Sequence, residues 1–503
     1  MRLSKLVEKA GLASECNFSD TEITDIVTNS REATYGCMFV CLSGRSEDGH
    51  RHIVEALLKG ASAVVIEFGV PNDLPDTHQS VNIIVCDNTR LAAARLYSAW
   101  YGDPAQKLKM IAVTGTNGKT SVTFMLKAIF EAALFKCGII GTVACYSGHK
   151  RIFAAPDDPL ANMTTPDPRQ LYRMLAYMVA DNVDYVFIEA SSHALKLFKL
   201  DAIEFECGIF TNLTVDHLDF HKTMDDYYLS KARLFSLCKK ALINADDAFF
   251  ERLRSDIIDK CEISTYSVKE NRSDFEAQNI INFGTEGINY VLKSQNTVMR
   301  VTSPIPGMFT VANTLCASAC AILCGIPPSV IQSALRSLLG IDGRMERVKL
   351  CHGTDFSMFI DYAHTPDALE GVLKTVRGFR RDNERIVLVF GCGGDRDHSK
   401  RPIMGRIASE MADFSIITAD NSRNEETSDI ISEIMSGFDK RAEYVIIEDR
   451  RAAIEYAIQN AKSGDVIILA GKGHEKYEID KNGRHEFDER KIAVELAEKY
   501  YLK

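Results

Sequence analysis

The chain reads as an α/β protein in three domains. A smaller N-terminal α/β domain covers residues 1–108. A central domain over residues 109–341 is built on a mostly parallel sheet. A C-terminal Rossmann-like, doubly wound domain covers residues 342–503. Three observations predict this. The 503 residues exceed what a single hydrophobic core organises. Short apolar, β-branched runs alternate with helical periodicity through the middle and last thirds, the pattern of parallel strands joined by crossover helices. Gly102-Asp103-Pro104 and a polar linker punctuate the chain ahead of the central domain.

Taken in order, residues 81–86 read as the last strand of the first domain and residues 89–101 as the helix that follows it. In the central domain, Met110 to Thr114 form a strand that meets a Gly-rich turn. An amphipathic helix comes next, with Val122, Met125, Ile129 and Ala133 on one face. Residues 185–189 and 207–212 read as buried parallel strands, and residues 240–244 as another. A polar, strand-like stretch over about residues 280–302 suggests antiparallel additions, ended by Pro304-Ile305-Pro306-Gly307. An Ala-rich helix then carries Cys316, Cys320 and Cys324 at four-residue spacing. That reads as the small-residue face of a packed helix, because no cysteine spacing in the chain has zinc-site form. In the last domain, residues 385–390, 414–418, 444–447 and 466–469 are strands separated by helical stretches.

Composition narrows the function class. An apolar content of 46% supports several buried cores. A formal net charge of −10 counts against nucleic acid as a partner, since phosphate backbones call for a basic face. Charges at Arg2, Lys5, Glu8 and Lys9 stand where a signal peptide would be apolar. No apolar run is long enough to span a bilayer. The expectation is a cytoplasmic monomer whose 14 scattered cysteines stay reduced.

The turn Gly115-Thr116-Asn117-Gly118-Lys119-Thr120-Ser121 joins a strand to a helix N-terminus. Backbone N–H groups and the helix dipole face an anion there. Lys119 adds a point charge, and Thr120 or Ser121 offers a hydroxyl to Mg²⁺. This is a phosphate loop, and a central P-loop ATPase is the expectation that the resemblance described below attaches to it. Val113 stands where the longer common form of the loop has its first glycine. Ligands of open α/β sheets gather at the C-terminal ends of strands. Two further strand ends deliver Glu189 and His217 to the same rim, as candidate Mg²⁺ ligands beside the loop.

The short loop resembles that of the Mur ligase and folylpolyglutamate synthetase superfamily. Glu189-Ala190-Ser191-Ser192-His193-Ala194-Leu195 and the segment from Thr211 to His221 resemble two further Mur ligase elements. So do the segment from Tyr228 to Phe235 and Asp361-Tyr362-Ala363-His364-Thr365-Pro366. Phe390 to Asp397, Lys400-Arg401-Pro402 and Gly471-Lys472-Gly473-His474-Glu475 resemble the tripeptide-synthetase (MurE-type) branch. The matches run in order over nearly the whole chain.

The resemblance implies an ATP-dependent amide ligase. It implies addition of a diamino acid, meso-diaminopimelate first, to the D-Glu of UDP-MurNAc-L-Ala-D-Glu through an acyl phosphate. By the same resemblance, Lys119 and the loop amides hold ATP phosphates, and Thr120 or Ser121 with Glu189 holds Mg²⁺. His217 assists a second metal position, supported by Lys231 as a carbamate. Asn313, Arg344 and Asp361 resemble nucleotide contacts. Ser30, Thr164, Thr165, Ser191 and Lys199 stand at donor-binding positions. Arg396, Asp420, Asn421, Arg423, Gly471 and Glu475 stand at positions for the incoming amino acid, where Arg423 and Arg396 could pair with the distal carboxylate of diaminopimelate.

The sequence departs from the family pattern in four places. Asn29 replaces Asp, Leu197 and Lys199 stand where Gln and Arg are expected, and Ser422 replaces Pro. L-Lysine or another diamino acid is the alternative substrate. A folylpolyglutamate synthetase, or a relative that binds the precursor without turnover, are the alternative activities.

Overall fold

The computed structural model describes residues 1–12, 19–44, 47–67, 81–152, 163–269, 273–338, 340–380, 384–439 and 441–502. They form two compact units, Met1–Thr265 and Tyr266–Lys503.

The first unit opens with a four-stranded sheet, Ile26–Val27, Met38–Val40, Ala63–Glu67 and Asn82–Cys86, parallel and in chain order. The helix Thr89–Trp100 follows it, one residue shorter than its periodicity suggests, with the Asn88 carboxamide capping its first turn. A second sheet runs in the order Cys238–Asn244, Phe205–Phe210, Lys109–Thr114, Tyr185–Glu189, Cys137–Ile140, all parallel. Tyr146–Ser147 and Lys150–Arg151 add antiparallel strands at its edge. The Lys109–Thr114 strand is central and buried from Met110 onward, as expected for a strand covered on both faces. The helix Lys119–Ala132 buries Val122, Met125 and Ile129 against it, whereas Ala133 falls just past the helix end.

The second unit begins with antiparallel strands Phe275–Asn282, Ile288–Ser294 and Val298–Ser303, where the sequence suggested antiparallel additions. The helix Met308–Leu323 buries Cys316 and Cys320 completely, matching a small-residue packing face. A six-stranded sheet follows in the order Glu346–Arg347, Ser357–Asp361, Val466–Ala470, Ile386–Phe390, Phe414–Ile417, Tyr444–Ile446. Its last five strands are parallel.

Alternate residues of these strands enter two separate cores. Phe359, Leu388, Ile417 and Ile468 pack with Leu373, Met404 and Ile431 on one face. Met358, Val389, Ile416 and Leu469 pack with Ile454 and Leu496 on the other. Helices on both faces of a parallel sheet make this a doubly wound fold. The Ser357–Asp361 strand is absent from the sequence reading, and it is the one that delivers Asp361.

Candidate active site

The phosphate loop is braced by the end of the neighbouring strand. Gly118 caps the helix Lys119–Ala132 with φ 87°, in the left-handed region. A Cβ on Gly115, whose φ is 146°, would lie 1.9 Å from the Thr211 hydroxyl. Only glycine lets the loop pass there. Thr211 Oγ1 donates to the Asn117 carbonyl at 2.6 Å. The Asn212 carboxamide accepts from the Asn117 N–H at 2.9 Å and donates to the Asn117 carbonyl at 3.2 Å. Lys119 Nζ arches back to donate to the carbonyls of Gly115 and Thr116, both at 2.9 Å. Thr116 Oγ1 lies 3.2 Å from the Tyr227 hydroxyl. Thr120 and Ser121 are buried in the first turn of the helix.

Glu189 ends the strand beside the loop, in register with Val113. Its side chain is only 1% exposed. Thr142 grips the carboxylate, donating its N–H to Oε1 at 3.1 Å and its hydroxyl to Oε2 at 2.9 Å. Thr165 donates to the Glu189 carbonyl at 2.7 Å, and its hydroxyl lies 3.0 Å from that of Ser191. Ser191 caps the short helix Ser192–Lys196. Thr164, Thr165 and Ser191 therefore cluster around the same strand end.

His217 adopts φ 53° at the start of the Leu218–His221 helix and is half-exposed. Its ring lies 5.1 Å from that of His193. Lys231, on the helix Met224–Ala232, is buried and donates to the Gly115 carbonyl at 2.7 Å, over the Tyr227 ring. Burial drives the Lys231 amine well below the ordinary lysine range. The Lys119 charge adds to that, while Asp216 opposes it. His221 is also buried, with Nε2 2.8 Å from Ser192 Oγ, and burial pushes it down to about 4.

The hydroxyls of Thr120 and Ser121 and the Glu189 carboxylate are oxygen donors, the chemistry a hard cation takes. Among the described residues no three His, Cys, Asp or Glu side chains come together to hold a metal. A cation here would complete its shell with phosphate oxygens and water, as Mg²⁺ usually does. The donor set fits.

In the same unit, Leu197 and Lys199 line a cavity of about 440 Å³ with Arg90, Tyr97, Arg169 and Arg173. Lys199 Nζ pairs with Asp167 at 2.5 Å. Arg169 pairs with Asp25 at 2.7 Å and Glu32 at 2.9 Å. Ser30 is not in the lining, though Thr28 and Glu32 beside it are, and its hydroxyl donates to Glu55 at 2.7 Å. Asn29 still accepts from the Arg31 N–H at 3.0 Å, so the turn survives without Asp.

The second unit gathers its own set. Asp361 is buried and accepts from the N–H groups of Met345 and Ala363 at 2.8 and 2.9 Å. Burial raises its carboxyl against the pull of Arg344. The Arg344 guanidinium stands 5.3 Å from the Tyr362 ring centre. Asn313 is buried in the helix Met308–Leu323.

Asn421 Oδ1 accepts from Lys472 Nζ and the Ile479 N–H, both at 3.0 Å, and Nδ2 donates to Glu475 at 2.8 Å. These partners fix the orientation of the amide. Burial favours the neutral form of Asp420, but the charges of Lys472 and Arg450 outweigh it and hold the carboxyl below its usual range. A Cβ on Gly471 would lie 2.7 Å from the Asp420 carboxylate. Burial raises the Glu475 carboxyl, and the Asp420 charge adds to it. Arg423, at φ 53°, donates to the Gly394 carbonyl at 2.8 Å. Arg423 and the exposed Arg396 flank Gly393.

Several residues at these sites escaped the sequence reading. Thr142 follows a strand that the reading did not identify. His221, Lys472 and Arg401 lie inside quoted motifs, but nothing local distinguishes them from packing residues. Arg401, fully buried, donates to Glu425 at 2.8 and 2.9 Å and to Glu433 at 3.0 Å. Arg450 reaches Glu489 at 2.8 Å. Both pairings join residues distant in the chain.

A family model described as the Mur ligase middle domain matches residues 113–321, and one described as the Mur ligase, glutamate ligase domain matches residues 343–473. The chain is 40% identical over 501 residues to a UDP-N-acetylmuramoyl-L-alanyl-D-glutamate–2,6-diaminopimelate ligase of Clostridium tetani, covering 100% of both proteins. It is 39% identical over 503 residues to the like-named protein of Syntrophomonas wolfei, covering 99% of each. A solved structure with the same ligase name superposes with a TM-score of 0.69 at 30% identity, covering 99% of each chain. A phosphate loop at a central strand, a doubly wound second sheet and full-length identity at this level agree: the chain belongs to the Mur ligase family.

Proposed function

We propose that this protein joins meso-diaminopimelate to the D-Glu side-chain carboxylate of UDP-MurNAc-L-Ala-D-Glu, with conversion of ATP to ADP and phosphate. The observation that carries this reading is 40% identity, end to end, with a relative named for that reaction. The work divides over residues 1–108 for the UDP end, 109–341 for ATP and 342–503 for the amino acid. The sheet that ends at Cys86 and the two matched family segments support that division. A reaction drawing on ATP and a nucleotide-linked precursor belongs in the cytoplasm.

A carboxylate is a poor electrophile, so it is first phosphorylated. The γ-phosphoryl group passes from ATP to the D-Glu carboxylate, ADP leaves, and an acyl phosphate remains. The amine of diaminopimelate attacks the acyl carbon, the tetrahedral adduct expels phosphate, and an amide bond forms as the amine loses its proton.

Phosphoryl transfer depends on positioning and charge. Lys119 and the loop amides not bonded within the protein cradle the phosphates, whereas the Thr116 and Asn117 N–H groups bond Asn212 and, with Thr211, hold the loop in shape. Thr120, Ser121 and Glu189 would hold Mg²⁺, which supplies positive charge to the phosphate oxygens when bound. His217 stands at the rim for a second metal position. Burial lowers the pKa of Lys231 and so favours the neutral amine, the form that adds CO₂ with loss of a proton. The resulting carbamate is an anion, where an ammonium would repel a metal.

Arg90, Arg169, Arg173 and Lys199 outnumber Glu32 and Asp167 in the lining of the 440 Å³ cavity, which supports an anionic nucleotide-sugar there. Thr164, Thr165 and Ser191, near Glu189, are placed to meet its peptide end. Arg344, Asp361 and Asn313 serve the nucleotide. Arg423 and Arg396 take the distal carboxylate of the amino acid, while Asp420, Asn421, Gly471 and Glu475 hold its ammonium end. Mass spectrometry of the purified protein with both substrates and MgATP tests the reading. A product equal to their sum less one water supports it, and unchanged donor overturns it.

A further inference from the structure

We propose that Thr142 is a positioning residue for Glu189, holding both oxygens of that carboxylate from a backbone N–H and a hydroxyl that also meets Thr164. This rests on the reading that Glu189 serves the metal and phosphates.

Thr142 sits two residues past the strand Cys137–Ile140, which runs parallel to Tyr185–Glu189 with Ile140 opposite Ile188. That register brings its backbone N–H and its hydroxyl to the two oxygens of one carboxylate, at 3.1 and 2.9 Å. A carboxylate oxygen accepts, so both Thr142 groups donate to Glu189. Thr142 Oγ1 also lies 3.0 Å from Thr164 Oγ1. Thr142 is the donor in that contact too, so Thr164 and Glu189 share its one hydroxyl proton, while its N–H serves Glu189 alone.

The two-point grip removes rotation about the last bond of a glutamate that is 1% exposed. Gly141 completes the seat, because a Cβ there would lie 2.3 Å from Glu189 Oε1.

Thr142→Val keeps the shape and removes the proton, whereas Thr142→Ser keeps the proton. Binding of Mn²⁺ to the full-length protein with ADP, read from the electron paramagnetic resonance signal of free Mn²⁺, needs no turnover. Thr142→Val should weaken Mn²⁺ about tenfold or more, while Thr142→Ser stays within about threefold of the parent. Thr142→Ala, which cannot overpack, is a second variant with the same expectation as Thr142→Val. Glu189→Gln is the control. Loss of Mn²⁺ affinity in Glu189→Gln with parent affinity in Thr142→Val and Thr142→Ala overturns the role of Thr142 and leaves Glu189 in place. Parent affinity in Glu189→Gln overturns the underlying reading of Glu189, and this inference falls with it.

Discussion

Lys231 Nζ donates to the Gly115 carbonyl at 2.7 Å, a contact across 116 residues of chain, and the same carbonyl accepts from Lys119 Nζ at 2.9 Å. Two lysines thus share one acceptor at the first glycine of the phosphate loop. Both ammonium charges there would repel one another in a buried site. The arrangement favours a neutral Lys231, the form that reacts with CO₂.

A carbamate on Lys231 is therefore expected. Protein equilibrated with ¹³C-bicarbonate should show a carbamate carbon signal in its ¹³C spectrum that Lys231→Arg lacks. Lys231→Arg should also lose about 100-fold or more in kcat, the usual scale for removing one charge-stabilising group from a transition state. An unmodified Lys231 in the active protein contradicts this.

The seat of Glu189 makes a second prediction. Gly141→Ala puts a methyl group where Glu189 Oε1 now lies, 2.3 Å from the new Cβ. The carboxylate must move, and overpacking of this kind costs about 1–3 kcal/mol of stability. Phosphate release should fall more steeply than the melting temperature, because the displaced group ends the strand paired with the one that leads into the phosphate loop. Parent-level turnover with an unchanged Tm would refute the tight seat.

The loops around Gly393 and Ser422 make a third. Arg423→Ala should raise KM for meso-diaminopimelate about 10- to 100-fold, the worth of a hydrogen bond to a charged group. Any residual turnover with L-lysine, which lacks the distal carboxylate, should not change. An equal effect on both amino acids would assign Arg423 to holding the loop through Gly394 instead.

Much of the first site was legible in the sequence because its signal is local. An apolar strand, a Gly-rich turn and a helix N-terminus lie within a dozen residues around Gly115. The strand ends at Glu189 and Thr211 were legible for the same reason. The Ser357–Asp361 strand was not, because its partner Val466–Ala470 lies more than 100 residues away and supplies the pairing that defines it. Thr142 and Arg450 were hidden likewise, and Lys472 and Arg401, though inside quoted motifs, showed no sign of their partners. Each is an ordinary polar residue whose role depends on a partner brought close only by the fold, as with Arg450 and Glu489.

Acid stability makes a fourth prediction. The Arg401 hydrogen bonds hold the Glu425 carboxyl down at about 2, from an ordinary 4.5. Its folded pKa lies below the unfolded one. The stabilisation is therefore complete above about 4.5 and is lost as pH falls toward 2. The Tm gap between the parent and Glu425→Gln should be widest near neutral pH and shrink below pH 4.5. A gap independent of pH would show that the pair contributes by packing alone.

The most direct test of the central claim is phosphate release from MgATP with UDP-MurNAc-L-Ala-D-Glu and, separately, meso-diaminopimelate, L-lysine and L-ornithine. Release that depends on the donor and is fastest with meso-diaminopimelate is the predicted result. A preference for L-lysine, or no release with any of the three, would contradict it.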